Sequence, residues 1–311
     1  MASWLKNKWV SIAKALVAVG LLTVLFWQID IQVFVESLKG ANYWYILISA
    51  LLFFPGVFVS SLRWQAFLEH YGVFLTKWVL FRLYLIGSFF NNFLPSSIGG
   101  DGYKWLAVSR TAGTKKGDVF SSIVLERAFG FLTLFVAGAL LFPFFLPVQY
   151  VGFAKILVFV CILAAFVFLY FRLRLAVFLL AFGEQHQRVQ KYTSTLAKSI
   201  TFDSRRVLLL AVLYSLVFVA INVVGRLLVF SAFGIELNPL FVVFAVACVQ
   251  VVGLLPISIN SIGVTEGAMV FVYALTGVAP EVVVAVALVS RISMVLTSAV
   301  GGVILFFQKQ S

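Results

Sequence analysis

Five charged side chains stand where an apolar chain rarely puts them. Arg127 and Arg291 lie inside the apolar runs 119–141 and 282–307, and Asp101, Glu126 and Glu266 lie within or beside such runs. About eight residues into its run, Arg127 sits ~12 Å deep at a helical rise of 1.5 Å per residue. A charge at the centre of a bilayer costs on the order of 2.5–3.5 kcal/mol even on the lenient insertion scale, so such residues face protein or water and have partners. Guanidinium is a planar, permanently charged fork that matches phosphate. Arg127 and Arg291 are therefore candidates for holding a phosphate or another anionic head group. Asp101, Glu126 and Glu266 can balance them when the site is empty, bind an amine or carry a proton. The competing reading is that these are buried ion pairs that hold neighbouring segments in place.

Polar and helix-breaking residues cluster near two of these charges. Pro95 is followed by Ser97, Gly99, Gly100, Asp101 and Gly102, and Pro256 by Ser258, Asn260, Gly263, Glu266 and Gly267. Asn92, Ser97, Ser258 and Asn260 are candidates to line a polar cavity or to cap broken helices. The prolines and glycines are expected to set backbone geometry. Half-helices that begin after Gly100 and Ser261 would aim backbone N–H groups and positive dipole ends at an anion.

The rest of the composition narrows the chemistry. Apolar residues make up 63% and charged residues 11% of the 311-residue chain, against about 45–50% and 25% in soluble proteins. Mean hydropathy is +1.10. A water-soluble globule is excluded, and the long continuous apolar runs favour helices over the alternating ~10-residue strands of an outer-membrane barrel. Two cysteines and two histidines do not make a metal cluster or a disulfide framework. No hydrolase, transferase or nucleotide-binding signature is present, so neither a cofactor nor enzymatic activity is expected. The net charge of +12 is read as membrane orientation and contact with anionic lipid rather than nucleic-acid binding.

A bilayer-crossing helix needs about 20 apolar residues. Full spans are expected at 10–27, 43–62, 119–141, 152–171, 207–230 and 282–307. The runs 78–94 and 240–255 end at proline, and the second is followed by the short apolar run 264–278. Broken backbone at membrane depth is tolerated only where it is buried in protein or lines a watery cavity. Both are therefore expected to be re-entrant hairpins, at about 78–116 and 240–278. With both termini cytoplasmic, eighteen of the 23 Lys and Arg residues fall on the cytoplasmic side and only Lys39 and Lys155 outside, as the positive-inside bias requires. Arg226, near the outer end of its span, reads as a snorkelling base.

The two hairpins belong to an internal repeat. Leu94-Pro95-x-Ser97-Ile98 returns as Leu255-Pro256-x-Ser258-Ile259, 161 residues later. Asp101-Gly102 returns as Glu266-Gly267, Arg127 as Arg291, Arg63 as Arg226, and Tyr71-Gly72-Val73 as Phe233-Gly234-Ile235, all at offsets of 162–165. Glu126 is the exception, because its counterpart is Ser290. The expected fold is an all-α polytopic membrane protein, one domain over 1–311. A first helix (10–27) precedes repeat 1 (43–145), a connecting helix with a basic cytoplasmic segment (152–206), and an inverted repeat 2 (207–307). Inverted repeats with broken helices near the midplane are a transporter architecture.

The stretches Phe89-Phe90-Asn91-Asn92-Phe93-Leu94-Pro95-Ser96-Ser97-Ile98-Gly99-Gly100-Asp101, Glu126-Arg127 and 255–267 resemble the hallmark of the lysylphosphatidylglycerol synthase transmembrane-region family. The resemblance covers nearly the whole chain. It implies a lipid flippase region, here a stand-alone member lacking the aminoacyl transferase domain, in the inner cell membrane. Membrane lipids are the expected partners, with a lipid-synthesising enzyme as a possible second. The resemblance does not carry over a substrate. Alternatives are an ion- or proton-coupled carrier of a small solute, and a membrane enzyme or accessory subunit acting on a lipid phosphate or glycolipid.

Overall fold

The structure is a computed structural model. It describes residues 29–93, 99–111, 114–145, 204–254 and 257–308, with a few positions between 17 and 27. All regular structure among the described residues is helical. The expected connecting helix and basic segment up to 203, and most of the first helix, lie outside the described residues. Val17, Val19, Gly20, Thr23, Val24 and Trp27 are helical.

Helix α1 (Ile31–Gly40) is short and begins at an Asp30 cap whose carboxylate accepts from the Gln32 amide at 2.8 Å. The spans α2 (Tyr43–Leu51) and α3 (Phe53–His70) follow. Pro55 has no amide proton for the Leu51 carbonyl, which accounts for the break between them. α4 (Lys77–Phe93) and α5 (Gly99–Ser109) flank the first proline–glycine stretch, and α6 (Lys116–Phe145) is the next long helix. α7 (Arg205–Ala232), α8 (Pro239–Gly253), α9 (Val264–Tyr273) and α10 (Pro280–Gln308) complete the described chain.

Four stretches are long and apolar enough to cross a membrane: Tyr43–His70, Lys116–Phe145, Arg205–Ala232 and Pro280–Gln308, with hydropathies of 2.1–2.8. Side chains such as Leu209, Leu213, Leu216 and Phe271 are exposed on these and neighbouring helices. In water they would be an association hazard; in a bilayer they face hydrocarbon.

The described residues divide between two compact units. The first gathers parts of Met1–Gly56, Leu85–Gly100 and Val219–Ser311, and the second parts of Val57–Tyr84 and Asp101–Phe218. In the first unit α10 packs against α1, α2 and α9, and α8 packs against α9. Residues 283–287 of α10 are buried at every position, as expected for a helix enclosed on all sides. Phe230 and Phe241 close on Tyr273 with ring centroids at 4.5 and 5.7 Å. In the second unit Phe67, Leu125 and Ala211 form a buried cluster from α3, α6 and α7. The Trp64 indole is fully buried there and donates to Ser122 Oγ at 3.0 Å.

One local motif occurs in both units. α3 ends with Gly72 at φ +76°, and the Val73 amide reaches back to the Leu68 carbonyl at 3.0 Å. α7 ends with Gly234 at φ +73°, and the Ile235 amide reaches the Phe230 carbonyl at 3.1 Å. Both are Schellman ends, in which only glycine takes the left-handed residue without strain.

Candidate functional site

The second unit collects five charged side chains. Asp101 lies in the first turn of α5, where a carboxylate is favoured by the helix dipole. It accepts two parallel bonds from Arg127, Nε to Oδ2 at 2.9 Å and Nη2 to Oδ1 at 3.0 Å. This bidentate fork fixes orientation as well as charge. Lys104, one turn along α5, brings its ammonium to 2.8 Å from Asp101 Oδ1. The same ammonium lies 4.0 Å from the Tyr84 ring centroid and 5.2 Å from that of Trp64, an aromatic cradle for a cation.

Glu126 is fully buried and faces Arg63 of α3. Arg63 donates Nε to Glu126 Oε1 at 3.1 Å, adds a second bond from Nη2, and donates Nη1 to Ser215 Oγ at 3.0 Å. Arg127 Nε lies 3.9 Å from Glu126 Oε2. Three cations thus meet two carboxylates. Their exposures differ in a way that matters. The Lys104 side chain is 2% exposed, whereas that of Arg127 is 38% exposed.

In the first unit Glu266 pairs with Arg291, Oε1 accepting from Nε at 2.6 Å. Arg291 Nη2 also donates to Thr265 Oγ1 at 2.8 Å. The other Glu266 oxygen accepts the Gly263 amide at 2.7 Å, the backward half of a capping box at the start of α9. The loop before α9 is tightly wound. Asn260 and Ser261 have φ of 49° and 56°, and Ser261 Oγ is anchored on the Gly253 carbonyl at 2.6 Å. Consecutive left-handed residues without glycine are uncommon and cluster at functional sites. Asn260 Nδ2 donates to the Asn92 carbonyl at 3.2 Å, and its own carbonyl lies 3.5 Å from Arg291 Nη1. Ser258 is buried nearby in sequence.

The Gly100 amide donates to Asn91 Oδ1 at 2.8 Å. A Cβ on Gly100 would overlap the Gly87 carbonyl, so close backbone approach requires glycine here. Gly99 opens α5, and Gly263 is the N-cap of α9 at φ +81°. A Cβ on Gly102 or Gly267 would meet nothing within 4 Å. Pro95, Ser97 and Pro256 lie outside the described residues.

One expectation needs correction, and two residues of the cluster went unrecognised. Lys104 and Arg63, counted only among the eighteen cytoplasmic-side bases, are buried against carboxylates. The signal was available, because Lys104 stands three residues from Asp101 on one helix face, and Arg63 recurs at Arg226. Arg226 itself does not snorkel outward. It points to α9 and α10, donating Nη1 to Ser290 Oγ at 3.1 Å and approaching Met269 Sδ at 3.8 Å.

Comparison with known proteins identifies a family of membrane proteins. Residues 11–302 match the lysylphosphatidylglycerol synthase TM region. A UPF0104 membrane protein of Methanothermobacter thermautotrophicus is 22% identical over 292 residues, covering 86% of each chain. Another, from Methanocaldococcus jannaschii, is 22% identical over 313 residues, covering 91% of this chain and 90% of the relative. No solved structure matches. With four membrane-length apolar helices and a family match over most of its length, the chain is a multi-pass membrane protein and belongs to the lysylphosphatidylglycerol synthase transmembrane-region family.

Proposed function

We propose that this protein moves an amphiphilic, phosphate-bearing lipid between the leaflets of the cell membrane. The head group meets Arg127, while the acyl tails stay in hydrocarbon. The observation that carries this reading is Arg127. Asp101 grips it along one edge, yet its side chain is 38% exposed, in a cluster where three cations face two carboxylates. An anionic group completes that balance, and the guanidinium edge not held by Asp101 is the natural place for it.

Helix lengths support the re-entrant hairpins. α5 and α9, with 11 and 10 residues, rise only ~15–17 Å against a hydrocarbon core of about 30 Å. The repeat is supported by paired features at sequence offsets of 162–165: Asp101–Arg127 with Glu266–Arg291, and the two Schellman ends at Gly72 and Gly234. In this reading both termini are cytoplasmic, the lipid is carried without chemical change, and an enzyme that makes the lipid is a natural neighbour in the membrane.

The test is transfer of fluorescent phosphatidylglycerol across vesicles containing the purified protein, read by quenching from one side. Arg127→Ala is expected to cut the rate by about tenfold or more, the loss of one charge-assisted head-group contact, and Asp101→Ala to lower it by releasing the fork that orients Arg127. Folded variants with the wild-type rate would overturn the assignment. A new lipid species in the same vesicles would point to an enzyme instead.

A further inference from the structure

Arg63 and Arg226 stand 163 residues apart in sequence, and each reaches a side chain on the long helix that also carries the following arginine, 127 or 291. Arg63 finds the Glu126 carboxylate. Arg226 finds Ser290, whose hydroxyl proton is already given to the Val286 carbonyl at 2.6 Å. Its other contact, Met269 Sδ at 3.8 Å, is also neutral. Among the described residues no carboxylate lies within ion-pair distance of Arg226, and its Nε and Nη2 have no acceptor. The charge is nevertheless half-buried between α7, α9 and α10.

A second polar group is stranded beside it. Tyr273 is 1% exposed, and its hydroxyl has no hydrogen-bond partner among the described residues. Met269 and Tyr273 are one turn apart on α9, and Arg226 and Phe230 one turn apart on α7. The Arg226–Met269 contact and the Phe230–Tyr273 stacking at 4.5 Å are therefore successive rungs of one helix pair. Side chains on a helix lean toward its N-terminus, which carries the Tyr273 hydroxyl toward the Met269 rung.

We propose that Arg226 and the Tyr273 hydroxyl form a binding site for one phosphate-type oxyanion, which takes the place against Arg226 that the Glu126 carboxylate takes against Arg63. The guanidinium supplies donors only and the phenol adds one O–H donor, which suits an oxyanion, and the permanent positive charge of the arginine rejects a cation. The oxyanion is either a lipid phosphodiester or free phosphate. The site goes beyond the transport reading, since it requires binding and not movement between leaflets.

The experiment measures binding of short-chain phosphatidylglycerol and, separately, of inorganic phosphate to the full chain in detergent at fixed ionic strength. Wild type is compared with Arg226→Gln and Ser290→Glu, and for phosphatidylglycerol binding all three also carry Arg127→Ala, so that the proposed transport site adds no binding. Ser290→Glu installs the missing carboxylate, so it is expected to raise the unfolding temperature and to weaken anion binding about tenfold or more, the loss of a charge-assisted contact. Arg226→Gln is expected to weaken binding equally. Phosphatidylglycerol binding lost in both variants assigns a lipid head group; inorganic phosphate lost in both assigns the free ion. Wild-type affinity for each anion in Ser290→Glu, with a lowered unfolding temperature, would overturn the proposal even if Arg226→Gln fails to fold. Flipping that survives Ser290→Glu while binding is lost separates this site from the transport route.

Discussion

The Asp101–Arg127 cluster and the Glu266–Arg291 cluster use the same ion pair in different company. Around Asp101 the pair is built into a network. Lys104 shares the aspartate, Glu126 joins Arg63, and Trp64 and Tyr84 close over the ammonium. Around Glu266 the pair is nearly alone, and the glutamate divides its oxygens between Arg291 and the amide that starts its own helix. Burial follows the same division. Glu126, Arg63 and Lys104 are all closed off, whereas Arg291 is 22% exposed and Arg226 is half-buried. The difference teaches which charges hold structure. Glu126, Arg63 and Lys104 are neutralised inside the second unit and serve as an anchor, while Arg127, Arg291 and Arg226 are less enclosed.

Substitutions sharpen that division. The largest effect is expected from Glu126→Gln, which leaves Arg63 buried without its carboxylate. Breaking one partner of a buried pair costs about 3–5 kcal/mol, measured as chemical unfolding in detergent. Glu266→Gln should cost less, about 1–3 kcal/mol, because the partly exposed Arg291 keeps Thr265 and the lost helix cap is a single hydrogen bond. Equal losses at the two glutamates would remove the distinction between anchor and open pair. The smallest effect is expected at Gly102, where a Cβ meets nothing within 4 Å. Gly102→Ala should be neutral or stabilising by up to about 1 kcal/mol through helix propensity. Gly100→Ala, aimed at the Gly87 carbonyl, should instead destabilise by about 1–3 kcal/mol.

Much of this was legible in the sequence because apolar length is a strong signal. The expected span 119–141 lies inside α6, 207–230 inside α7 and 282–307 inside α10. The span expected at 43–62 continues to His70 because Arg63, which ends the apolar run, is neutralised by a residue 63 positions away. No window of sequence contains that partner. Lys104 went unrecognised as a member of the cluster, although its spacing from Asp101 is local. Helix α1 was missed because ten residues between longer runs carry little apolar length, and its one signal was the Asp30 cap. The pairing of Asp101 with Arg127 was within reach, since both lie in apolar surroundings that demand a partner. The neutral setting of Arg226 was not, because it depends on which helix faces it.

The central claim is that Arg127 holds an anionic lipid head group. Its most direct test is native mass spectrometry with lipid identification on gently extracted protein, comparing wild type with Arg127→Ala. The account predicts one phosphate-bearing lipid class retained by wild type and lost from the variant. The same bulk lipid mixture on both proteins would contradict it.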